Sequence, residues 1–430
     1  MDLALIGFAC LFAICFIGVP LGFALILVGV GGFAYLRGIL PALAMAGQQI
    51  IDLATNDAMS VLPLFVLMGA FIHQAKLSEE LYEAANAWLG HLRGGLAMAT
   101  IAACGGFAAV SGSSLATAAT MSKVAMPPMR RFGYANSLAT GSIAAGGTLG
   151  ILIPPSVPMV IYGILTDTDI GQLFIAGIVP GLLLILLFIA AIALVARLDP
   201  TLAPPGVGYS WSQRARATFR VWGVLVLFLI VLGGIYLGIF TPTEAAGIGA
   251  VGALLFALGR RKMRWSNFVD SLLEAGTTAG MIFVVAFGAL IFSNFVALAG
   301  LTNAMIALIE ALNVPPMGVV IAMCVIFLVL GCVFDSLAML LLTIPIFAAI
   351  LTPLGVDLIW FGILSIVAIE IGLISPPIGM NVFIVKTVLP EIDVWTIFRG
   401  VYPFIAAALI ALILLFLFPD LSLWLPRLMR

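Results

Sequence analysis

The chain has 430 residues, of which 63% are hydrophobic and 9% charged, with a formal net charge of −1. No soluble core needs such an apolar excess, and the near-neutral balance offers no basic face to nucleic acid. The apolar runs are continuous and rich in Leu, Ile, Ala and Gly, not alternating, which points away from a β-barrel to an all-α polytopic membrane protein of roughly ten crossings.

Residues 3–35 are apolar for longer than one helix needs and break at Gly18-Val19-Pro20, so two short crossings are expected. The start, Met1-Asp2, lacks a basic n-region and reads as a retained span, not a cleaved signal. The next span covers 50–74 and ends at His73 and Lys76. Over 77–92, Glu79, Glu80, Glu83, Asn86 and His91 alternate with Leu81, Ala84, Trp88 and Leu92 at helical spacing, the pattern of an amphipathic helix lying in the interface.

Residues 94–129 run apolar to a tip, Ser111-Gly112-Ser113-Ser114, and back. His91 and Arg93 flank one end and Arg130-Arg131 the other, so both ends lie on one basic, cytoplasmic side. Two thin crossings would do the same, but a serine-rich tip favours a re-entrant hairpin, because irregular backbone at membrane depth is tolerated where it lines a cavity. Residues 135–165 form a span interrupted by Gly146-Gly147, Gly150 and Pro154-Pro155, leading to the acidic outer loop 166–169. Residues 172–196 return to 197–220, a Pro/Gly/Ser-rich linker with Arg197, Arg214, Arg216 and Arg220.

The second half retraces this plan. Spans at 221–240 and 245–258 are separated by Thr241-Pro242-Thr243-Glu244 and end at Arg260-Arg261-Lys262. A span at 271–295, a short surface helix at 301–312, a hairpin at 315–354 with its tip near 331–337, a broken span at 358–388 and a last span at 394–418 follow. Ser113 and Asp335, Gly150 and Gly372, and Pro154 and Pro376 all stand 222 positions apart, so one ungapped shift aligns both tips and both breaks. The flanks of the second hairpin, 310–316 and 352–357, contain no Lys or Arg, so it enters from the opposite face and the duplication is inverted. Counting crossings puts both termini outside, with Arg37, Arg427 and Arg430 against the charge rule.

Broken helices persist in hydrocarbon only where something uses the freed backbone groups, and inverted repeats of them form the working core of secondary transporters. Carbonyls and hydroxyls suit a small hard cation such as Na⁺, and half-helix N-termini suit an anion. A first sodium site would gather Ser111, Ser113 and Ser114 with Gly147, Gly150 and Ile153. A second would gather Gly331, Asp335 and Ser336 with Gly372, Ser375 and Gly379. Ser114, Thr117, Pro154, Pro155, Pro376, Pro377 and Asn381 are the expected substrate cavity. Asp335 is either an ion ligand or a helix cap, and Glu370 is expected to hold the second break in shape by accepting backbone N–H bonds. Lys123 is expected to snorkel to the cytoplasmic surface, and Tyr35, Trp88, Trp265, Trp360 and Trp395 to mark interfaces. Two histidines, His73 and His91, leave little scope for a metal or proton relay, and Cys10, Cys15, Cys104, Cys324 and Cys332 form no CxxC or pairing pattern.

Several stretches resemble the large membrane subunit of tripartite ATP-independent periplasmic (TRAP) transporters, the DctM-like permeases. They are Pro63-Leu64-Phe65 with Met68-Gly69, the 111–114 tip with Ala116-Thr117-Ala118, and Gly147-Thr148-Leu149-Gly150-Ile151-Leu152-Ile153-Pro154-Pro155-Ser156. Thr241-Pro242-Thr243-Glu244-Ala245-Ala246 and Glu370-Ile371-Gly372-Leu373-Ile374-Ser375-Pro376-Pro377-Ile378-Gly379 complete the match, Ser375 standing where the family usually has Thr. The resemblance implies an elevator-type sodium symporter for organic acids such as C4-dicarboxylates or sialic acid. It implies a multi-pass inner-membrane protein with a small membrane subunit and a periplasmic substrate-binding protein as partners, Na⁺ as coupling ion and no other cofactor. It also implies a scaffold at 1–92 and 221–313, a mobile transport domain at 93–198 and 314–420, a linker at 199–220 and a tail at 421–430.

Two other readings compete. A stand-alone ion-coupled carboxylate symporter of the same plan would work without a binding protein. An intramembrane serine hydrolase would need a His or Lys base near Ser111–Ser114, and neither histidine stands in a span there; HExxH is also absent.

Overall fold

The structure is a computed structural model describing residues 2–75, 77–206 and 208–429; Lys76 and Arg430, named above as charged flanks, lie outside the described residues. Among the described residues every regular element is a helix. The chain opens with α1 (Asp2–Phe16) and α2 (Leu21–Arg37), parted at the expected break, where Gly18 takes a φ of 98°. The span expected over 50–74 is divided. A helix not foreseen, α3 (Ile39–Ala54), stops short of Asn56, whose side chain accepts the Ala58 N–H at 2.9 Å and starts a 3-10 turn (Asp57–Ser60) before α4 (Val61–Gln74). A short polar side chain competing for the main chain ends the first helix there. The amphipathic α5 (Leu77–Leu89) follows, burying Leu81, Ala84 and Ala87 and lying along α6.

The first hairpin is α6 (Gly95–Ser111) and α7 (Ser114–Arg131), both packed on α8 (Asn136–Leu152). After a break come α9 (Val157–Thr166) and the long α10 (Ile170–Leu198). Part of the expected linker is helical. Ser210 and Gln213 form a reciprocal capping box that opens α11 (Trp211–Arg220), and the chain bends by 51° into α12 (Trp222–Tyr236). A second capping box, Thr241 with Glu244, opens α13 (Pro242–Gly259).

Next are α14 (Trp265–Leu298), α15 (Leu301–Ala311), the second hairpin α16 (Pro316–Gly331) and α17 (Ser336–Leu351), then α18 (Leu358–Ile374), α19 (Met380–Val388) and α20 (Val394–Leu417). The expected tail contains α21 (Asp420–Leu428), seated on α10. The repeat read in the sequence recurs in the elements: α8 and α18 begin at 136 and 358 and end at 152 and 374, a shift of 222 at both ends.

Fewer helices than the expected ten cross by themselves. Among the described residues six are long and apolar enough, or seven with the bent α11–α12 pair, because breaks divide the remaining apolar length into helices of 10–17 residues. The two halves touch main chain to main chain near the starts of α8 and α20: a Cβ at Gly141 of α8 would stand 2.2 Å from the carbonyl oxygen of Gly400 in α20. Small residues of this kind let membrane helices approach closely.

The hairpins stand on different neighbours. The feet of α6 and α8 are bonded to the segment after α10, Gly94 N–H to Ala203 O at 3.2 Å and Ala135 N–H to Leu202 O at 3.1 Å. Arg130, at the foot of α7, pairs with Glu391 in the loop before α20. The foot of α18 is held instead by Tyr162 of α9, whose hydroxyl donates to Leu358 O at 2.6 Å.

Candidate functional site

At the first tip, α6 ends at Ser111, Gly112 turns the chain at φ 60°, and extended Ser113 (φ −136°, ψ 127°) caps α7. Thr117 Oγ1 donates to Ser113 O at 2.7 Å, and it shares a 2.9 Å hydrogen bond with Ser111 Oγ. The tip rests on the broken helix. A Cβ at Gly150 would meet Ser113 O at 2.5 Å and Ser114 N at 2.9 Å, and one at Gly112 would meet Pro155 O at 3.1 Å. Gly147 gives the same clearance to Ala118, at 2.7 Å, and α8 leaves helical geometry at Ile153. Of the six residues expected at the first site, Ser113, Ser114 and Gly150 meet directly; Gly147 abuts Ala118 one turn away, Ser111 bonds Thr117 within the tip, and the Ile153 side chain faces Gly105 and Gly181.

The second tip is built alike. A Cβ at Gly372 would stand 2.5 Å from Gly331 Cα, and Gly379, at φ 63°, donates its N–H to Cys332 O at 3.1 Å. Asp335 caps α17, its carboxylate accepting the Leu337 N–H at 3.2 Å, and Ser336 is buried beside it. Ser375 turns its hydroxyl back to Ile371 O at 2.7 Å. Both Pro-Pro bonds, 154–155 and 376–377, are cis.

Glu370 does not brace the second break. It is buried in unbroken α18, and neither carboxylate oxygen has a partner among the described residues. Mid-helix N–H groups already bond the carbonyls four residues back, so none is free for it.

Both tips face one cavity of about 750 Å³ between them and α4, α5 and α14. Its wall includes Ser111, Ser113 and Ser114 from one tip, Asp335 and Ser336 from the other, and Glu274 and Thr278 from α14. Of the residues expected to line a substrate cavity, Ser114 is in this wall; Pro154, Pro155, Pro376 and Pro377 lie outside it. Thr117 is buried behind the tip it bonds, and Asn381 is buried where its Nδ2 donates to Ala144 O at 3.2 Å, tying α19 to α8.

Three residues not assigned to this wall from the sequence belong to it. Lys123, one helix face below the first tip, and Lys262 carry positive charge into the cavity, so Lys123 does more than reach the surface. His73 also lines it, but no tip serine bonds to it: Ser111 is engaged with Thr117, and Ser113 accepts from Ala116 N–H. The pairing that a serine nucleophile requires is not formed. Among the described residues no three His, Cys, Asp or Glu side chains gather as a metal-binding group.

The family model described as "Tripartite ATP-independent periplasmic transporter, DctM component" matches residues 8–421, from α1 through both hairpins and both breaks to α21. The chain belongs to the DctM family. This DctM-type permease is 38% identical over 381 residues to the C4-dicarboxylate TRAP transporter large permease protein of Pseudomonas aeruginosa, covering 88% of each chain. It is 31% identical to the sialic acid TRAP transporter large permease protein of Vibrio cholerae, covering 96% of each. Among solved structures it is similar to the YdaH transporter of Alcanivorax borkumensis, with a TM-score of 0.66 over 89% of each chain at 16% identity, a likeness of fold. The permease is thus a multi-pass helical membrane protein of the TRAP-type secondary transporters.

Proposed function

We propose that this permease takes up a small organic acid, a C4-dicarboxylate, sialic acid or a similar anion, in symport with Na⁺ by an elevator mechanism. The observation that carries the reading is the pairing of each hairpin tip with a broken helix, with both tips opening on one cavity. Relatives named for C4-dicarboxylate and for sialic acid transport support the substrate class.

The geometry suits both ligands. At each junction, extended residues free main-chain carbonyls beside hydroxyls, the hard oxygen donors that Na⁺ prefers, and at the second junction Asp335 adds a carboxylate. The ion ligands are Ser111, Ser113, Ser114, Gly147, Gly150 and Ile153 at one site and Gly331, Asp335, Ser336, Gly372, Ser375 and Gly379 at the other. The N-termini of α7 and α17 face the cavity with a partial positive charge, which favours an anion lying between them.

The inverted arrangement rests on the flanks of the second hairpin, which contain no Lys or Arg. The halves hold each other: Glu391 in the loop after α19 meets Arg130 at the foot of the first hairpin, and Tyr162 of α9 reaches Leu358 at the start of α18. In this reading the segments 93–198 and 314–420 move as a transport domain against a scaffold of 1–92 and 221–313, joined by 199–220. A periplasmic binding protein delivers the substrate and a small membrane subunit completes the scaffold.

The test is uptake of labelled organic acids into proteoliposomes holding this chain, with and without an inward Na⁺ gradient, the small subunit and the binding protein. Uptake that needs all of them is the expected result. Uptake by this chain alone would move it to stand-alone symporters, and uptake indifferent to Na⁺ would remove the ion sites.

A further inference from the structure

We propose that the groove between α12 and α13 is a binding site for one anionic glycerophospholipid, with an acyl chain in the groove and the phosphate held by Arg216 and Arg220. This inference is independent of the transport reading.

The groove is apolar and has a volume of about 250 Å³, with Ile72, Trp222, Val226, Leu255, Gly252 and Phe256 in its walls. Two glycines shape it. At Gly223 a Cβ would fall 1.9 Å from the Phe256 ring, so that ring lies directly on α12; at Gly252 a Cβ would fall 2.7 Å from Leu227 Cδ1, so Leu227 lies directly on α13 and the two helices close the floor of the trough. The groove opens outward among residues exposed on the flank of a membrane protein, with Val226, Leu229 and Leu255 at 40%, 67% and 63% exposure. Lipid chains are the surroundings for which such a surface is suited.

One end of the groove is cationic. The Arg260 guanidinium stands over the Phe256 ring at 4.4 Å from its centroid, donates from Nη2 to Arg220 O at 2.7 Å and pairs with Glu80, so the net positive charge at this end comes from Arg216. Arg216 and Arg220 are four residues apart on α11 and so share a helix face. Arg216 has no hydrogen bond or ion pair to any described residue. Arg220 pairs with Glu83 at 3.0 Å, both side chains more than half exposed, a pair weak enough to rearrange around a phosphate.

The remaining contacts fix α11 at that height. Arg214 lies over Trp88 and Trp211, at 5.6 Å and 5.4 Å from the ring centroids, and Trp88 Nε1 donates to Thr218 Oγ1 at 2.9 Å. Trp211 and Trp222 stay exposed on the same edge, where amphipathic rings mark the headgroup level. Basic residues on the cytoplasmic side of spans attract anionic lipid, so charge complementarity selects this occupant over a zwitterionic lipid.

The experiment titrates delipidated full-length protein in mild detergent with dioleoyl phosphatidylglycerol or dioleoyl phosphatidylcholine and follows bound lipid by native mass spectrometry. Phosphatidylglycerol is expected to saturate at one per chain and to outcompete phosphatidylcholine. The R216Q/R220Q variant should lose roughly thirtyfold in affinity for phosphatidylglycerol, the factor for removing two charges near an anionic headgroup, without changing affinity for phosphatidylcholine. Val226→Trp, at a partly exposed wall position, should weaken both by filling the groove. Equal retention of the two lipids, wild-type affinity in either variant, or loss of the bound lipid when the small membrane subunit is co-purified would overturn the proposal.

Discussion

Replacing Gly150 with Ala should damage cation coupling as well as folding. The added methyl would stand 2.5 Å from Ser113 O, 2.7 Å from Ser113 C and 2.9 Å from Ser114 N, all main-chain atoms that no rotamer change can clear. Reaching an ordinary 3.4 Å contact moves the tip back by about 0.9 Å, the difference between 3.4 and 2.5. Overpacking of this kind costs about 1–3 kcal/mol. A metal site tolerates only about 0.2 Å in its ligand distances, so the same displacement takes the tip carbonyls and hydroxyls out of range.

The assay is initial uptake rate against Na⁺ concentration in proteoliposomes, beside a thermal melt in detergent. The Na⁺ concentration for half-maximal uptake is expected to rise at least about tenfold, equivalent to about 1.4 kcal/mol. Gly276→Ala is the control: a Cβ there meets nothing within 4 Å, and in the interior of α14 alanine gains about 1 kcal/mol of helix propensity. A Gly150→Ala protein with a lowered melting temperature but wild-type Na⁺ dependence would refute the reasoning, leaving the junction as packing alone.

Other perturbations separate structural from functional roles. Asp335→Asn keeps a good cap on α17, so stability should change by only a few tenths of a kcal/mol while Na⁺ dependence weakens about tenfold or more; unchanged uptake at limiting Na⁺ would assign Asp335 to capping only. Tyr162→Phe deletes the donor to Leu358 O inside the packing and should cost about 1–3 kcal/mol, read as chemical or thermal stability, with Ile161→Val as a packing control. The Glu391 carboxyl is held below its ordinary range by its own backbone N–H and then by Arg130. A depressed folded value stabilises above the unfolded pKa and is lost as pH falls through the folded one, so Glu391→Gln and wild-type melts should differ slightly at neutral pH and converge in acid. A gap that widened on acidification would contradict this.

Much of the architecture was legible because the repeat carries its own punctuation. Glycines that must admit another backbone, Gly150 and Gly372, and the prolines that end each half-helix are set by local sterics, so residue type alone located both junctions. The division of 50–74 was not legible: Asn56 reads as an ordinary polar residue until its side chain is seen to cap a turn inside an apolar run. Helix α11 was hidden under linker-like composition, although Ser210 and Gln213 at capping-box spacing were a usable signal. The wall positions of Lys123, Lys262 and His73 depend on how α4, α7 and the start of α14 converge, and pattern within one segment carries no such information. The reading of Glu370 failed for a related reason: a carboxylate near a break suggested a brace, but the helix stays regular through it and leaves its oxygens unmatched.

The contact between α8 and α20 limits where this protein can bend. With Gly141 against Gly400, and a Cβ at Gly400 only 1.9 Å from Ser137 O, the two helices interlock through their main chains with no side chain between them to act as a lubricant. Sliding one past the other would drive neighbouring side chains into a gap that admits none. Helix α8 of the first half and α20 of the second are therefore locked together at that seam, which behaves as one slab.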